Sequence, residues 1–146
     1  MLAMDCVLAA AEWRHGRPLN RIVRQHLMIR AVASYFKAIP AIRRFGRASR
    51  LHENGRDPEA LIVGREALEI LRRPGIIRTN PAEGAVLSCA TILVEELAAK
   101  LNLPGAESTD ISDALTVIRA NGPGSEFQSW VPYLEGRLAH RAAGAV

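Results

Sequence analysis

Two long segments of the chain begin in the same way, with a short polar residue followed by proline. Asp57-Pro58 and Asn80-Pro81 each precede a run in which apolar residues recur three or four positions apart. Asp and Asn are favoured at the N-cap of a helix, and proline fits the first helical turn, where its missing N–H removes no hydrogen bond. We therefore expect a helix after each pair. Because no segment alternates apolar and polar residues with a period of two, we expect no β-strand.

Similar start and stop signals divide the rest of the chain. The predicted helices cover residues 2–15, 18–39, 41–53, 57–73, 80–101 and 110–120, with a last one from about 125. Pro40 is expected to end or kink the second helix, because proline clashes with the preceding turn, and Gly55 suits a left-handed C-terminal cap. Short loops make consecutive helices antiparallel. The sequence thus predicts an all-α protein of about six to seven helices in antiparallel hairpins, either an irregular bundle or a short helical-repeat stack.

The second predicted helix has apolar residues at helical spacing, which we expect to face the rest of the bundle. These residues are Leu19, Ile22, Val23, Ile29, Val32, Ala33 and Phe36. Basic residues on the second and third helices are then expected to point outward together.

Charge is unevenly distributed along the 146 residues. Residues 1–50 contain ten basic and two acidic residues, a net charge of +8, whereas residues 51–146 contain nine basic and thirteen acidic residues, a net charge of −4. Such asymmetry is typical of a surface that meets anions. Two interpretations stay open: the N-terminal half presents a basic surface, or the two halves neutralise one another within the fold.

Basic residues at helical spacing form the candidate anion-binding site. They are Arg14, Arg17, Arg21, Arg24, Arg43, Arg44, Arg47 and Arg50. Guanidinium groups aligned along one side of a helix suit a phosphate backbone or an acidic protein surface. Aromatic residues that could stack on bases are few nearby, so contact with an RNA or DNA backbone without sequence recognition is expected. The alternative is an ordinary solvated helix face.

The C-terminal part begins with "GPGSEF", residues 122–127. We divide the chain into a helical domain at residues 1–121 and a C-terminal helical segment at 122–146. This segment is either the natural last helix or a peptide fused after a linker. Trp130 and Tyr133 are its candidate partner-binding residues, since both types are frequent at interface hot spots.

"ENGRDPEALIVGREALEILRR", residues 53–73, resembles the turn and second helix of a tetratricopeptide-type repeat. Ala60 and Ala67 match the small positions where two helices of that family approach closely. The resemblance extends to residue 101 if residues 81–101 open a second hairpin. It implies a helical scaffold that binds proteins.

The same stretch is similar to helical HEPN-like domains, in which a basic residue and a glutamate lie four positions apart, here Arg65 and Glu69. Some members are metal-independent ribonucleases with an Arg and a His four to six residues apart. The resemblance therefore implies an alternative site at Arg47 and His52. In size, helicity and basicity the chain is also similar to small subunits of CRISPR effector complexes.

Several classes of site lack their motifs. The four histidines and two cysteines follow no metal-ligand spacing, and no phosphate-binding loop or nucleophile elbow is present, so we expect no metal and no cofactor. The longest uncharged run is too short to span a bilayer, and we expect a bacterial cytoplasmic protein without a membrane partner. The sequence favours a non-catalytic binding module that contacts a protein, a nucleic acid or both in a larger assembly, with a homo-oligomer as one arrangement.

Overall fold

A computed structural model describes residues 21–122 and 124–144, and every regular element in these ranges is helical. The five α-helices and the 3-10 helix that precedes the last of them are α1 (Arg21–Glu53), α2 (Asp57–Leu71), α3 (Pro81–Leu101), α4 (Ser108–Ala120), the 3-10 helix Glu126–Trp130 and α5 (Val131–Gly144). Each helix packs against the next one in the chain, and α1 also contacts α3. The predicted all-α class is confirmed for these ranges. The first predicted helix, residues 2–15, lies outside the described residues.

Of the two effects expected of Pro40, ending the helix or kinking it, the first is wrong. Pro40 lies inside α1, which continues for 33 residues from Arg21 to Glu53. The described residues therefore contain five α-helices, whereas the predicted six to seven include one at residues 2–15, outside this range. Proline removes one backbone hydrogen bond, but contacts on both sides of Pro40 hold the helix together. Ser34 and Ala38 before it, and Ala41 and Ala48 after it, are all buried on one side of α1.

The side of α1 that meets the bundle also differs from the prediction. Its buried residues are small except for Leu51: Ser34, Ala38, Ala41, Ala48 and Leu51. The residues that we expected there, most of them larger, are exposed within the described range, namely Ile22, Val23, Ile29, Val32, Ala33 and Phe36; Leu19 lies outside it. Small side chains let α1 lie close to its neighbours, and this contact turns the larger residues outward.

The turn between α1 and α2 has the predicted left-handed glycine. Gly55 has φ 72°, its N–H donates to His52, and the Arg56 N–H donates to Leu51, which closes the end of α1. We expected the Asp57 side chain to cap α2, but it does not. Asp57 is the first residue of the helix, and its carboxylate binds side chains of neighbouring helices.

Helix α3 lies at the centre of the bundle. Twelve of its 21 residues are buried, most of them apolar, which is typical of a helix packed among others, and it contacts α1, α2 and α4. Gly64 of α2 faces Val94 of α3, and a methyl group at Gly64 would come within 2.9 Å of a Val94 methyl. The close approach of α2 and α3 therefore depends on glycine at this position.

Apolar packing and a buried ionic cluster both attach helix α5 to the bundle. Leu134 is fully buried. The carboxylate of Glu95, also fully buried, accepts hydrogen bonds from Arg137 at 2.8 Å, Arg141 at 2.6 Å and the Ala106 N–H at 2.7 Å. Glu95 thus joins α3, the loop before α4 and α5.

We expect Gly64→Ala to lower the free energy of unfolding by about 1–3 kcal/mol, because the added methyl group forces α2 and α3 apart. Val94→Ala in the same chain should restore part of the loss. Chemical denaturation measures both. Gly46→Ala is the matched control: nothing lies within 4 Å of its added methyl group, and replacing a mid-helix glycine should stabilise α1 by about 0.5–1 kcal/mol. Equal effects at both glycines would contradict the packing argument.

Glu95→Gln should destabilise the protein by about 3 kcal/mol, because it leaves two guanidinium groups at the edge of the core without their counter-ion. The neighbouring Glu96 is exposed, so Glu96→Gln should change the free energy of unfolding little. Thermal or denaturant unfolding of the two variants compares them directly; a similar loss in both would show that burial of Glu95 is unimportant.

Candidate anion-binding surface

Arg43, Arg47 and Arg50 form the arginine stripe, which lies on the outer side of α1. They are four and three residues apart, so in a regular helix they point in the same direction to within about 60°. All three are exposed. The buried residues Ala41 and Ala48 lie on the opposite side of the helix. The outward orientation that we expected for these arginines is therefore present in the structure.

The arginine stripe is not neutralised by neighbouring acidic groups. Residues 21–52 contain no acidic residue. Arg44, beside the stripe, lies 3.1 Å from Glu66 of α2. Among the described residues this is the one ion pair that joins an arginine or lysine of residues 21–50 to an acidic residue of the other half, and Arg43, Arg47 and Arg50 form none. Their positive charges face solvent.

The other ion pairs among the described residues join partners that both lie within residues 51–146. Fully buried Asp110 of α4 accepts hydrogen bonds from Arg72 at 2.8 Å and from Arg78 at 2.7 Å. Arg72 also lies 2.7 Å from Glu107, and its carboxylate partners raise the pKa of its guanidinium, with the Asp110 hydrogen bond as the main cause. For the described residues, the interpretation that the two halves neutralise one another is therefore limited to Arg44.

The two predicted basic series partly share one helix. Because α1 continues through Pro40, exposed Arg21 and Arg24 belong to the same helix as the arginine stripe. The rise of a regular helix places Arg21 about 33 Å from Arg43. The structure therefore aligns these residues along one axis without making them a single cluster. Arg14 and Arg17 lie outside the described residues.

Arg47 and His52, the alternative catalytic pair, lie on different sides of α1. Five helical positions separate the two side chains by about 140° around the axis. Arg47 is exposed, whereas His52 is half-buried and its Nδ1 lies 2.7 Å from Asp57 Oδ1. Lys100 donates to the other oxygen of Asp57. The hydrogen bonds from Lys100 and His52 lower the pKa of Asp57 below its ordinary value of 3.8. In this arrangement His52 links α1 to α2.

Trp130 and Tyr133, the predicted partner-binding residues, pack against each other edge to face, with ring centroids 5.8 Å apart. Trp130 lines a groove of about 210 Å³ together with Phe45, Phe127 and Cys89. Burial, with a smaller contribution from Glu126, raises the pKa of the Cys89 thiol, so this cysteine is mainly protonated. The groove is largely apolar, Ser49 and Glu96 are polar residues of its lining, and no residue of the arginine stripe lines it.

A larger cleft of about 560 Å³ lies between the α3–α4 loop and α5. Arg137 and Arg141 line it. Both guanidinium groups bind Glu95, and Arg141 also donates to the Ala106 carbonyl. The bond to Glu95 raises the pKa of Arg137. These arginines hold α5 in place, unlike those of the arginine stripe, which have no internal acceptor within the described residues.

The described part of the chain has neither a cluster of potential metal ligands nor a helix suited to cross a membrane. Residues 21–122 and 124–144 contain no group of three or more His, Cys, Asp or Glu side chains that could hold a metal ion. None of the helices α1 to α5 combines the length and the hydrophobicity needed to cross a bilayer.

Sequence reasoning missed the buried ionic clusters. Glu95 and Glu96 are adjacent and look equivalent in the sequence, yet one is fully buried and the other is exposed. The available signal was the position of Glu95 within an almost continuously apolar helix, where a carboxylate needs an internal partner. Comparison of the chain with family models, with curated proteins and with solved structures found no match, so the resemblances to tetratricopeptide-type and HEPN-like domains stay predictions.

The cluster of His52, Asp57 and Lys100 predicts how stability depends on pH. A carboxylate with a lowered native pKa stabilises the fold above its ordinary value of 3.8, and this stabilisation is lost as the pH falls through the native pKa. The wild-type protein should therefore be more stable than Asp57→Asn near neutral pH, and the difference should shrink below about pH 4. Denaturant titrations at a series of pH values measure it. Glu59→Gln, on the exposed Arg56–Glu59 pair, is the control, and a pH-independent difference for Asp57→Asn would contradict the assignment.

Proposed function

We propose that this protein is a non-catalytic helical binding module that contacts an anionic partner through the arginine stripe. The partner is a nucleic-acid backbone or an acidic protein surface, and the module acts within a larger assembly. The observation that carries the proposal is the exposure of Arg43, Arg47 and Arg50 on one side of α1 without an ion pair among the described residues. Guanidinium groups that keep their hydrogen-bond donors available can bind phosphate or carboxylate groups in a bidentate manner.

Contrast with the other arginines supports this proposal. Arg72, Arg78, Arg137 and Arg141 are half-buried or nearly buried, and each binds a fully buried carboxylate. A structural role explains them. No such role explains the arginine stripe, whose side chains lie away from the core. Three uncompensated positive charges on one helix face also repel one another, and an anionic partner relieves this repulsion.

The proposal predicts a specific salt dependence. Replacing the arginine stripe, Arg43→Gln with Arg47→Gln and Arg50→Gln, should weaken binding of a labelled single-stranded RNA and of a poly-glutamate peptide. For RNA, the slope of log affinity against log salt concentration should fall by about 2, because three phosphate contacts are lost. Fluorescence anisotropy over a salt series measures the slope.

A matched control removes the same charge elsewhere. The variant Arg56→Gln with Arg73→Gln and Arg119→Gln changes three exposed arginines that lie outside α1 and should keep the wild-type slope for RNA. If both triple variants weakened RNA binding equally, net charge alone would explain the loss of affinity, and the proposal would be overturned. Cleavage of the RNA that both Arg47→Gln and His52→Gln abolish would also overturn it, in favour of the HEPN-like ribonuclease alternative.

A further inference from the structure

The outer side of α1 carries exposed apolar residues as well as arginines. Among the described residues nine large apolar side chains are exposed, and six of them lie between Ile22 and Phe36. Ile29 and Phe36 are 68% and 65% exposed, and Val32 lies between them in sequence. We call Ile29, Val32 and Phe36 the apolar stripe. Clustered exposed apolar side chains such as those of the apolar stripe are a mark of a contact surface.

The apolar stripe and the arginine stripe lie on one line along α1. Ile29, Phe36, Arg43 and Arg50 follow each other at intervals of seven residues, and seven residues rotate a regular helix by only about 20° from two full turns. Val32 and Arg47 lie beside this line. A heptad spacing of this kind is typical of a helix that packs along its length against another helix. The seam is apolar in its first part and basic in its second.

From this order we infer that α1 binds an acidic amphipathic helix of another protein, with apolar residues of that helix over the apolar stripe and its carboxylates over the arginine stripe. The inference rests on the proposed function, since it names the partner chemistry of the same face. Charge complementarity selects the partner: α1 has eight basic residues between Arg21 and Arg50 and no acidic residue before Glu53. An acidic helix neutralises the arginines while its apolar residues cover Ile29 and Phe36.

Other occupants fit this face less well. A second copy of α1 would bring no acidic side chain to the seam before Glu53, so the arginines of the arginine stripe would meet arginines or the apolar stripe and stay uncompensated. A nucleic-acid backbone would satisfy the arginines but leave the apolar stripe in water. A membrane-surface helix needs one broad apolar half with cations beside it; the apolar and basic residues of α1 are spread around the helix, and its arginines continue the line of the apolar stripe.

The test uses the full chain and two synthetic helical peptides about four heptads long. One peptide has apolar residues in the seam positions of one half and glutamates in those of the other. The second has the same charge, with serine in place of the apolar seam residues. Fluorescence anisotropy should show that the first peptide binds at least about tenfold more tightly, because it buries the apolar stripe.

Substitutions at two exposed residues separate the contribution of the apolar stripe to peptide affinity from that of charge. Ile29→Ser with Phe36→Ser should remove the advantage of the first peptide and leave binding of the second unchanged. Ile62 of α2 is 56% exposed and lies outside α1, so Ile62→Ser is the control and should alter neither affinity. Circular dichroism of each variant confirms that the helices are retained.

The outcomes distinguish this inference from the proposed function. If both peptides bind equally and the affinity depends on the arginine stripe, the inference fails and the proposed function stands. If RNA binding depends on the arginine stripe but peptide binding does not, the inference fails and the proposed function stands. If neither RNA binding nor peptide binding depends on it, both fail. Binding to anionic phosphatidylserine vesicles, or a dimer in sedimentation equilibrium, that Ile29→Ser with Phe36→Ser abolishes would identify a membrane or a second copy as the occupant and would overturn the inference.

Discussion

Close packing of small side chains along α1 is the constraint on which the rest of the arrangement depends. Ala38, Ala41 and Ala48 are fully buried there, and Ala60 of α2 is buried to the same degree. Small residues on facing sides bring helix axes close together, which increases dispersion contacts between the backbones. Since this narrow face supplies much of the contact with the bundle, the apolar stripe and the arginine stripe are both left on the outer side of α1.

Arginine has two separate physical roles in this protein. In the C-terminal half, pairs of guanidinium groups hold buried carboxylates: Arg72 and Arg78 bind Asp110, and two arginines of α5 bind Glu95. A buried carboxylate without these partners would be strongly destabilising, so the clusters fix which helices meet. In α1 the same residue type lies in solvent. The location of the carboxylates therefore predicts which arginines are paired internally better than the net charge of each half of the chain does.

The sequence predicted most of the helices but not which side of α1 packs against the bundle. Cap and stop signals, such as Asn80-Pro81 and Gly55, are local chemistry and could be placed without a structure. The continuation of α1 through Pro40 could not, because contacts with other helices compensate for the lost hydrogen bond. Periodicity identified the apolar residues of α1 but could not tell which side packs inward, since a stripe of Ser and Ala competes with one of Ile and Phe. The exposure of the arginine stripe followed from its spacing, whereas its lack of ion pairs with residues 21–122 and 124–144 required the tertiary structure.

Pro40 has a consequence for how α1 responds to force and to binding. Without an N–H at this residue, the Phe36 carbonyl lacks its helical donor, so the ladder of backbone bonds in α1 consists of two cooperative lengths. The second length packs against α2. The first carries the apolar stripe and is also attached to the bundle, since buried Ser34 donates to Glu83 at 2.6 Å and Ala38 is fully buried. Bending at Pro40 would break these contacts, so the residues ahead of Ser34 are the part of α1 whose fraying costs the bundle least.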